Sequence, residues 1–336
     1  MTSEGGSVSP LSNSDVLDRT TIIFRCRSAF GLRTTASDQS DNGCVPADTS
    51  PGSTAIAHVS GLAQGVPLDR TLRVTLHFHP DLPFADGSTL EAIADRGAYL
   101  SQFETRTGNG GLTAHPGGDR WKWESRMFDG AYDAHEPAER PKYGSLNYRA
   151  DPYGGSPRFG SSYFLLAEHT LDRTTFCFPD SVFEPDLFGT AEAMNLMEAA
   201  AAVEFDDPLD DYIEAHVHGP IDIASDVEAL VLDPSYRDTP FDVIARSLAC
   251  PVWWHDGYTV GVEEIAHHPD YRGPRIVDLA RGIAHDGVLT PSILGRARGG
   301  SYDPQDLKKV WHYIARYGTR ALGIGADVRT ADDSVR

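Results

Sequence analysis

Tyr212-Ile213-Glu214-Ala215-His216-Val217-His218 alternates strictly, with Ile213, Ala215 and Val217 on one side of an extended chain and Tyr212, Glu214, His216 and His218 on the other. That period of two marks a strand with one buried apolar face. Its second face is unusual, because a carboxylate, two imidazoles and a phenol stand where an ordinary solvent-facing row carries Thr, Lys or Ser. A second run, Thr71-Leu-Arg-Val-Thr-Leu-His-Phe-His79, repeats the pattern with Leu72, Val74, Leu76 and Phe78 opposed to Arg73, Thr75, His77 and His79. If both strands share one sheet, their polar rows line one cleft.

Working outward, Ser88-Thr-Leu-Glu91 is a capping box that opens a helix, and Ser225-Asp-Val-Glu228 reads as another. Helical spacing predicts helices over residues 54–63 and 191–204. Thr239-Pro240 and Asp303-Pro304 each place proline at a first helical position, and Gly318 closes the last helix. Further strands are expected at residues 159–167, 174–178 and 251–254. Residues 117–159 are dense in Gly, Pro, Tyr, Trp and Arg, a composition that suits irregular structure lining a cavity better than a linker. The chain divides into a mobile N-terminal segment over residues 1–52, a principal domain over 53–300, and a C-terminal helix and tail over 301–336.

Among 336 residues, 49 acids oppose 29 bases and give a net charge of −20. Such a surface repels a phosphate backbone, so nucleic acid is not an expected partner. The hydrophobic share of 40% and mean hydropathy of −0.33 suit a globular chain with a sizeable core. No window approaches the roughly 20 apolar residues of a membrane helix. The most apolar one, residues 191–205, is interrupted by Glu192, Glu198 and Glu204. The first residues carry no basic and apolar leader, and Cys26, Cys44, Cys177 and Cys250 form no Cys-x-x-Cys pair, so a cytoplasmic location is expected.

The two polar rows admit two chemistries. In one, His77, His79, His216 and His218 with Glu214 ligate zinc or iron, as in a metal-dependent hydrolase. In the other, a basic strand residue and Glu214 hold a dinucleotide and the histidines are hydrogen-bonding members of the pocket. The polar segment Ser101-Gln-Phe-Glu-Thr-Arg-Thr-Gly-Asn-Gly-Gly111 could let backbone amides approach a phosphate or ribose. Tyr143, between Pro141 and Gly144, sets a ring beside a backbone cleft.

His77-Phe-His-Pro-Asp81, Ser101-Gln-Phe-Glu-Thr105, Gly110-Gly-Leu-Thr113, Arg140-Pro-Lys-Tyr-Gly-Ser-Leu-Asn147, Gly155-Ser-Pro-Arg-Phe-Gly160 and Tyr212-Ile-Glu-Ala-His-Val-His-Gly-Pro220 together resemble a bacterial family of unknown function, over roughly residues 54–294. The order of these blocks is more distantly similar to the ADP-ribosyltransferase superfamily. That resemblance implies an α+β fold with a split β-sheet and flanking helices, and NAD as the substrate whose ADP-ribose passes to an acceptor or to water. It also implies that Glu214 is catalytic and that His79 or Arg73 on the first strand binds NAD. Ser101, Phe103 and Thr105 would support the nicotinamide ribose, with Tyr143 stacked on the nicotinamide. Asn109, Gly110, Asn147, His216 and His218 complete the implied pocket, and Arg73, Arg140 and Arg158 would form a basic patch for the pyrophosphate. Toxin-type members often carry Gln-x-Glu or Glu-x-Glu at the last motif, whereas Tyr212 stands two residues before Glu214 here. A non-catalytic nucleotide-sensing module is the reading that keeps the pocket without turnover.

Overall fold

The strongly alternating runs all become strands of one sheet. In the computed structural model, which describes residues 50–106 and 113–318, the sheet's strands in chain order are β1 Val74–Phe78, β2 Lys142–Leu146, β3 Ser162–Leu166, β4 Thr174–Phe178, β5 Leu187–Thr190, β6 Ile213–Val217, β7 Val227–Leu232 and β8 Val252–Trp254. Their spatial order is β8-β7-β3-β1-β2-β6-β4-β5. Only β7 and β8 run parallel; the other neighbours are antiparallel.

One face of this sheet is apolar. Val74, Leu76 and Phe78 of β1 join Leu146, Phe164, Leu166, Phe176, Phe178, Ile213, Ala215 and Val217 in the principal core. Helix α1 (Pro51–Leu62) lies on the opposite face, whereas α2 (Thr89–Arg96) packs Leu90 and Ile93 into the principal core. The Ser88 capping box opens α2 as the sequence implies, and Gly97 ends it in the left-handed region that a glycine adopts without steric cost. On the opposite face, Ala55 and Val59 of α1 meet Met127 of α3 (Asp119–Met127), Phe128, Tyr132, Cys177 and Phe188.

The pairing between β1 and β2 is short. Val74 pairs with Leu146 and Thr75 with Ser145, after which the rest of β1 pairs with β3 alone and residues 142–144 pair with β6 alone. The fold is thus α+β with one large mixed sheet and flanking helices, and its two halves join at this seam.

A second core gathers α4 (Pro274–Ile283), α5 (Pro291–Arg298) and α6 (Pro304–Tyr317) around Leu294, Leu307, Val310, Trp311 and Ile314. Asp303 accepts hydrogen bonds from the amides of Gln305 and Asp306, and Pro304 starts α6 where no amide donor is needed. The Trp311 indole donates to the carbonyl of Pro157 at 3.0 Å, which ties α6 to the turn carrying Arg158.

Two expected helices differ. Residues 225–228 do not open a helix, because Val227-Glu-Ala-Leu-Val-Leu232 alternates well enough to be drawn into the sheet as β7 beside β3. The helix expected over residues 191–204 is confined to Leu196–Ala201, its first residues being held by backbone pairing of Thr190 with Ala193 and of Val66 with Met194.

Candidate active site

The register of the sheet builds the site. Ser145 of β2, Glu214 of β6 and Cys177 of β4 lie directly opposite one another in one row, and Tyr143, His216 and Thr175 form the next. Because alternate residues share a face, both rows stand on the side away from the principal core. All but the half-buried Tyr143 are nonetheless buried beneath α1, α3 and the segment after α3, so each polar group must find a partner inside the protein.

The partners form a chain. Tyr132 Oη lies 2.7 Å from His218 Nδ1, His218 Nε2 2.9 Å from Thr175 Oγ1, Thr175 Oγ1 3.2 Å from His216 Nδ1, and His216 Nε2 2.9 Å from Glu214 Oε1. A single assignment of hydrogens satisfies every link. Tyr132 donates to His218, His218 to Thr175, Thr175 to His216 and His216 to Glu214. Burial holds His218 well below the usual imidazole range and raises the Tyr132 phenol, so both are in the protonation state that this assignment needs.

Glu214 ends that chain. Burial alone would raise its carboxyl, but the hydrogen bond from His216, the charge of Arg120 and the Ser181 hydroxyl, 3.2 Å from Oε2, outweigh it and hold Glu214 below its ordinary range. Asp180 lies beside it and behaves oppositely. Burial, and then the negative charge of Glu214, push Asp180 up to about 6, against the hydrogen bond it accepts from Tyr212.

Arg120 and Glu124 come from α3. The Arg120 guanidinium sits 4.1 Å from the centre of the Tyr143 ring, and its buried Nε and Nη1 have no hydrogen-bond partner among the described residues. Tyr143 donates to Glu124 Oε1 at 2.9 Å and meets His216 edge-on.

Of the residues expected from sequence, Glu214, His216, His218 and Tyr143 are brought together. Others lie away from this cluster or are engaged by other partners. Arg140 is 3% exposed, pairs with Glu124, donates to the carbonyl of Tyr132 and rests 4.1 Å over the ring of Phe103. Ser101 caps the one-turn helix Gln102–Thr105 and donates to the carbonyl of Pro137, and the Thr105 hydroxyl donates to the carbonyl of Ser101. Arg73 turns away to Glu228 on β7. Asn147 is occupied by the backbone of Asp151 and borders a separate cavity of about 190 Å³. His79 lies past the end of β1 against Trp311, and Arg158 is paired with Asp207 and Asp210. Arg73, Arg140 and Arg158 therefore do not form one basic patch, since each is drawn to a different carboxylate. Asn109 and Gly110 lie outside the described residues.

The four histidines also do not converge on one point. His77 Nε2 accepts from the amide of Ser156 and its Nδ1 meets the carbonyl of Gly160, with β2 standing between β1 and β6. Among the described residues, the donors that do approach one another are Cys177, Glu214 and His216, whose ligand atoms lie within 4.8 Å. Cys177 is held as a thiol, because burial and then the charge of Glu214 raise it far above its ordinary range.

Sequence reasoning missed Arg120, Glu124, Tyr132, Thr175, Asp180 and Ser181. Asp180-Ser181 was the most accessible, since a carboxylate and a hydroxyl follow Pro179 at the end of an expected strand. Residues 73–206 and 195–317 match the family described as "Protein of unknown function (DUF3626)". The chain belongs to that family. The DUF3626 match takes in every residue of the Glu214 cluster and continues through α6. No curated protein matches the chain. No helix among the described residues is long and apolar enough to cross a membrane.

Proposed function

We propose that this DUF3626 protein cleaves the nicotinamide–ribose bond of NAD and transfers ADP-ribose to an acceptor, or to water, with an ADP-ribosyltransferase-like arrangement of its sheet. The observation that carries the reading is the pairing of Glu214, ionised at the end of a donor chain, with Asp180, whose carboxyl is pushed towards neutrality. Environments that drive two neighbouring carboxyl groups apart in this way assign them different chemical tasks. The seam where β1 and β2 part, close to Glu214, supports the fold half of the reading.

In the reaction, the C1′–N bond breaks heterolytically and nicotinamide leaves with the electron pair, so no proton is needed for departure. Positive charge develops on the ribose, and the Glu214 carboxylate stabilises it. The acceptor's lone pair forms the new bond to C1′ as its proton passes to Asp180, whose pKa near 6 suits a base working close to neutrality. Tyr212 occupies the position two residues before Glu214 and directs its hydroxyl to Asp180. A second carboxylate thus reaches the site from the end of β4 rather than from β6. The Arg120 N–H groups that have no partner among the described residues supply donors for the substrate.

The test is release of nicotinamide from NAD. Glu214→Gln should slow it about 10²–10³-fold while NAD binding stays within a few-fold. Undiminished turnover in the variant overturns the proposal.

A further inference from the structure

Beyond Asp180, away from Glu214, a second set of charged groups joins α6 to the turn that carries Arg158. Arg158, Arg272 and Arg316 converge on Asp207, with Asp210 also paired to Arg158. Lys308 of α6 has no hydrogen bond or ion pair among the described residues, and its charge is felt by His79, His312, Asp180 and Asp210. His312, one turn along the same helix, is 5% exposed. Its Nδ1 accepts from Arg272 at 3.1 Å, so Nε2 carries the hydrogen, and that buried donor has no partner among the described residues. His79 Nδ1 is also buried and without a partner among the described residues.

A partnerless buried donor is costly to a fold, and here it stands beside an uncommitted ammonium where cations exceed the carboxylates they serve. We propose that Lys308 and His312, with His79 and Arg158 beside them, form a subsite for a phosphoryl group, specifically the pyrophosphate of the dinucleotide whose ribose meets Glu214. The inference rests on the NAD reading for its ligand but not for its chemistry, which is anion binding. Asp180 links the two places, being close to Glu214 through Ser181 and within the field of both Arg158 and Lys308. Along a dinucleotide the 5′-phosphate is the next charged group after the ribose. Burial, with Arg158 and Arg272 adding to it, pushes Lys308 down to about 7, and the negative charge of an arriving pyrophosphate, one per phosphoryl group, favours its charged form again.

Inorganic pyrophosphate binding, followed by calorimetry on the full chain, tests the subsite. Lys308→Met should weaken it by about tenfold or more, and Lys308→Arg should restore most of it. Thermal unfolding of each variant establishes that it is folded. In turnover, Lys308→Met should raise KM for NAD by a similar factor with kcat little changed, and leave cleavage of nicotinamide riboside, which has no phosphoryl group, as it was. Equal pyrophosphate binding by the wild type and Lys308→Met, or binding by neither, overturns the subsite. Pyrophosphate binding that depends on Lys308, in a wild-type protein that releases no nicotinamide, upholds the subsite and overturns the glycosyl-transfer reading instead.

Discussion

Asp180 and Glu214 share one hydroxyl: Ser181 Oγ lies 3.3 Å from Asp180 Oδ1 and 3.2 Å from Glu214 Oε2. Two carboxylates so close cannot both ionise without cost, and the surroundings decide which one yields. Glu214 has His216 and Arg120 in its favour; Asp180, despite Tyr212, is the one raised to about 6. With Asp180 as base, kcat/KM for acceptor transfer should rise with pH through about 6 and then level off. An activity that instead falls above 6 would make Asp180 an acid and rule out this assignment.

The same shift acts on stability. The folded Asp180 carboxyl has a pKa above the ordinary 3.8 of an aspartate, so its favourable contribution is complete below that value and is lost as pH rises through about 6. Asp180→Asn should therefore be more stable than the wild type near neutrality, with the advantage closing at about pH 4. Urea denaturation at the two pH values measures it, and an advantage independent of pH would refute the cause given.

Arg140 offers a prediction that separates structural from ligand-binding roles. Its guanidinium is committed to Glu124, to the carbonyl of Tyr132 and to the face of Phe103. Arg140→Ala leaves a buried carboxylate unpaired and should destabilise the fold by about 3–5 kcal/mol. Adding Glu124→Gln should recover part of that loss. If Arg140→Ala unfolds like the wild type in urea and only NAD affinity suffers, then Arg140 serves the pyrophosphate after all.

Much of this was legible in the chain. Strict alternation located β1 and β6 and named the face on which Glu214, His216 and His218 stand, because a period of two leaves little choice of side. Capping residues fixed the starts of α2 and α6 for an equally local reason. Register was not legible: that Thr175 lies opposite His216, and Cys177 opposite Glu214, depends on which strands become neighbours, and β4 and β6 are separated by residues 179–212. The fate of the arginines was hidden for a related reason. In a chain with 49 acids, sequence cannot tell which carboxylate each arginine meets, and Arg73, Arg140 and Arg158 each met a different one.

Thr175 is the central link of the donor chain, with an imidazole on each side at 3.2 and 2.9 Å. Valine has nearly the same shape and no hydroxyl. Thr175→Val leaves His216 Nδ1 and His218 Nε2 buried without this partner, at an expected cost of about 1–3 kcal/mol. It also frees His216 to change tautomer, so the hydrogen bond to Glu214 should weaken, and the loss of activity on protonation of Glu214, which lies below the Asp180 limb, should move to higher pH. A stability loss with an unmoved pH profile would confine Thr175 to a packing role.

Zinc at Cys177, Glu214 and His216 would compete directly with the role given to Glu214. A metal there would require the Cys177 thiol to ionise and the His216–Glu214 hydrogen bond to break, since ligand atoms must come within about 2.0–2.3 Å of the ion. The buried thiol is held against ionisation and the hydrogen bond is formed at 2.9 Å. Purified protein should accordingly carry no stoichiometric zinc, and a chelator should leave nicotinamide release unchanged. Cys177→Ser should likewise retain turnover. About one equivalent of zinc in the wild type, lost together with activity in Cys177→Ser, would transfer the chemistry from the carboxylate pair to the metal.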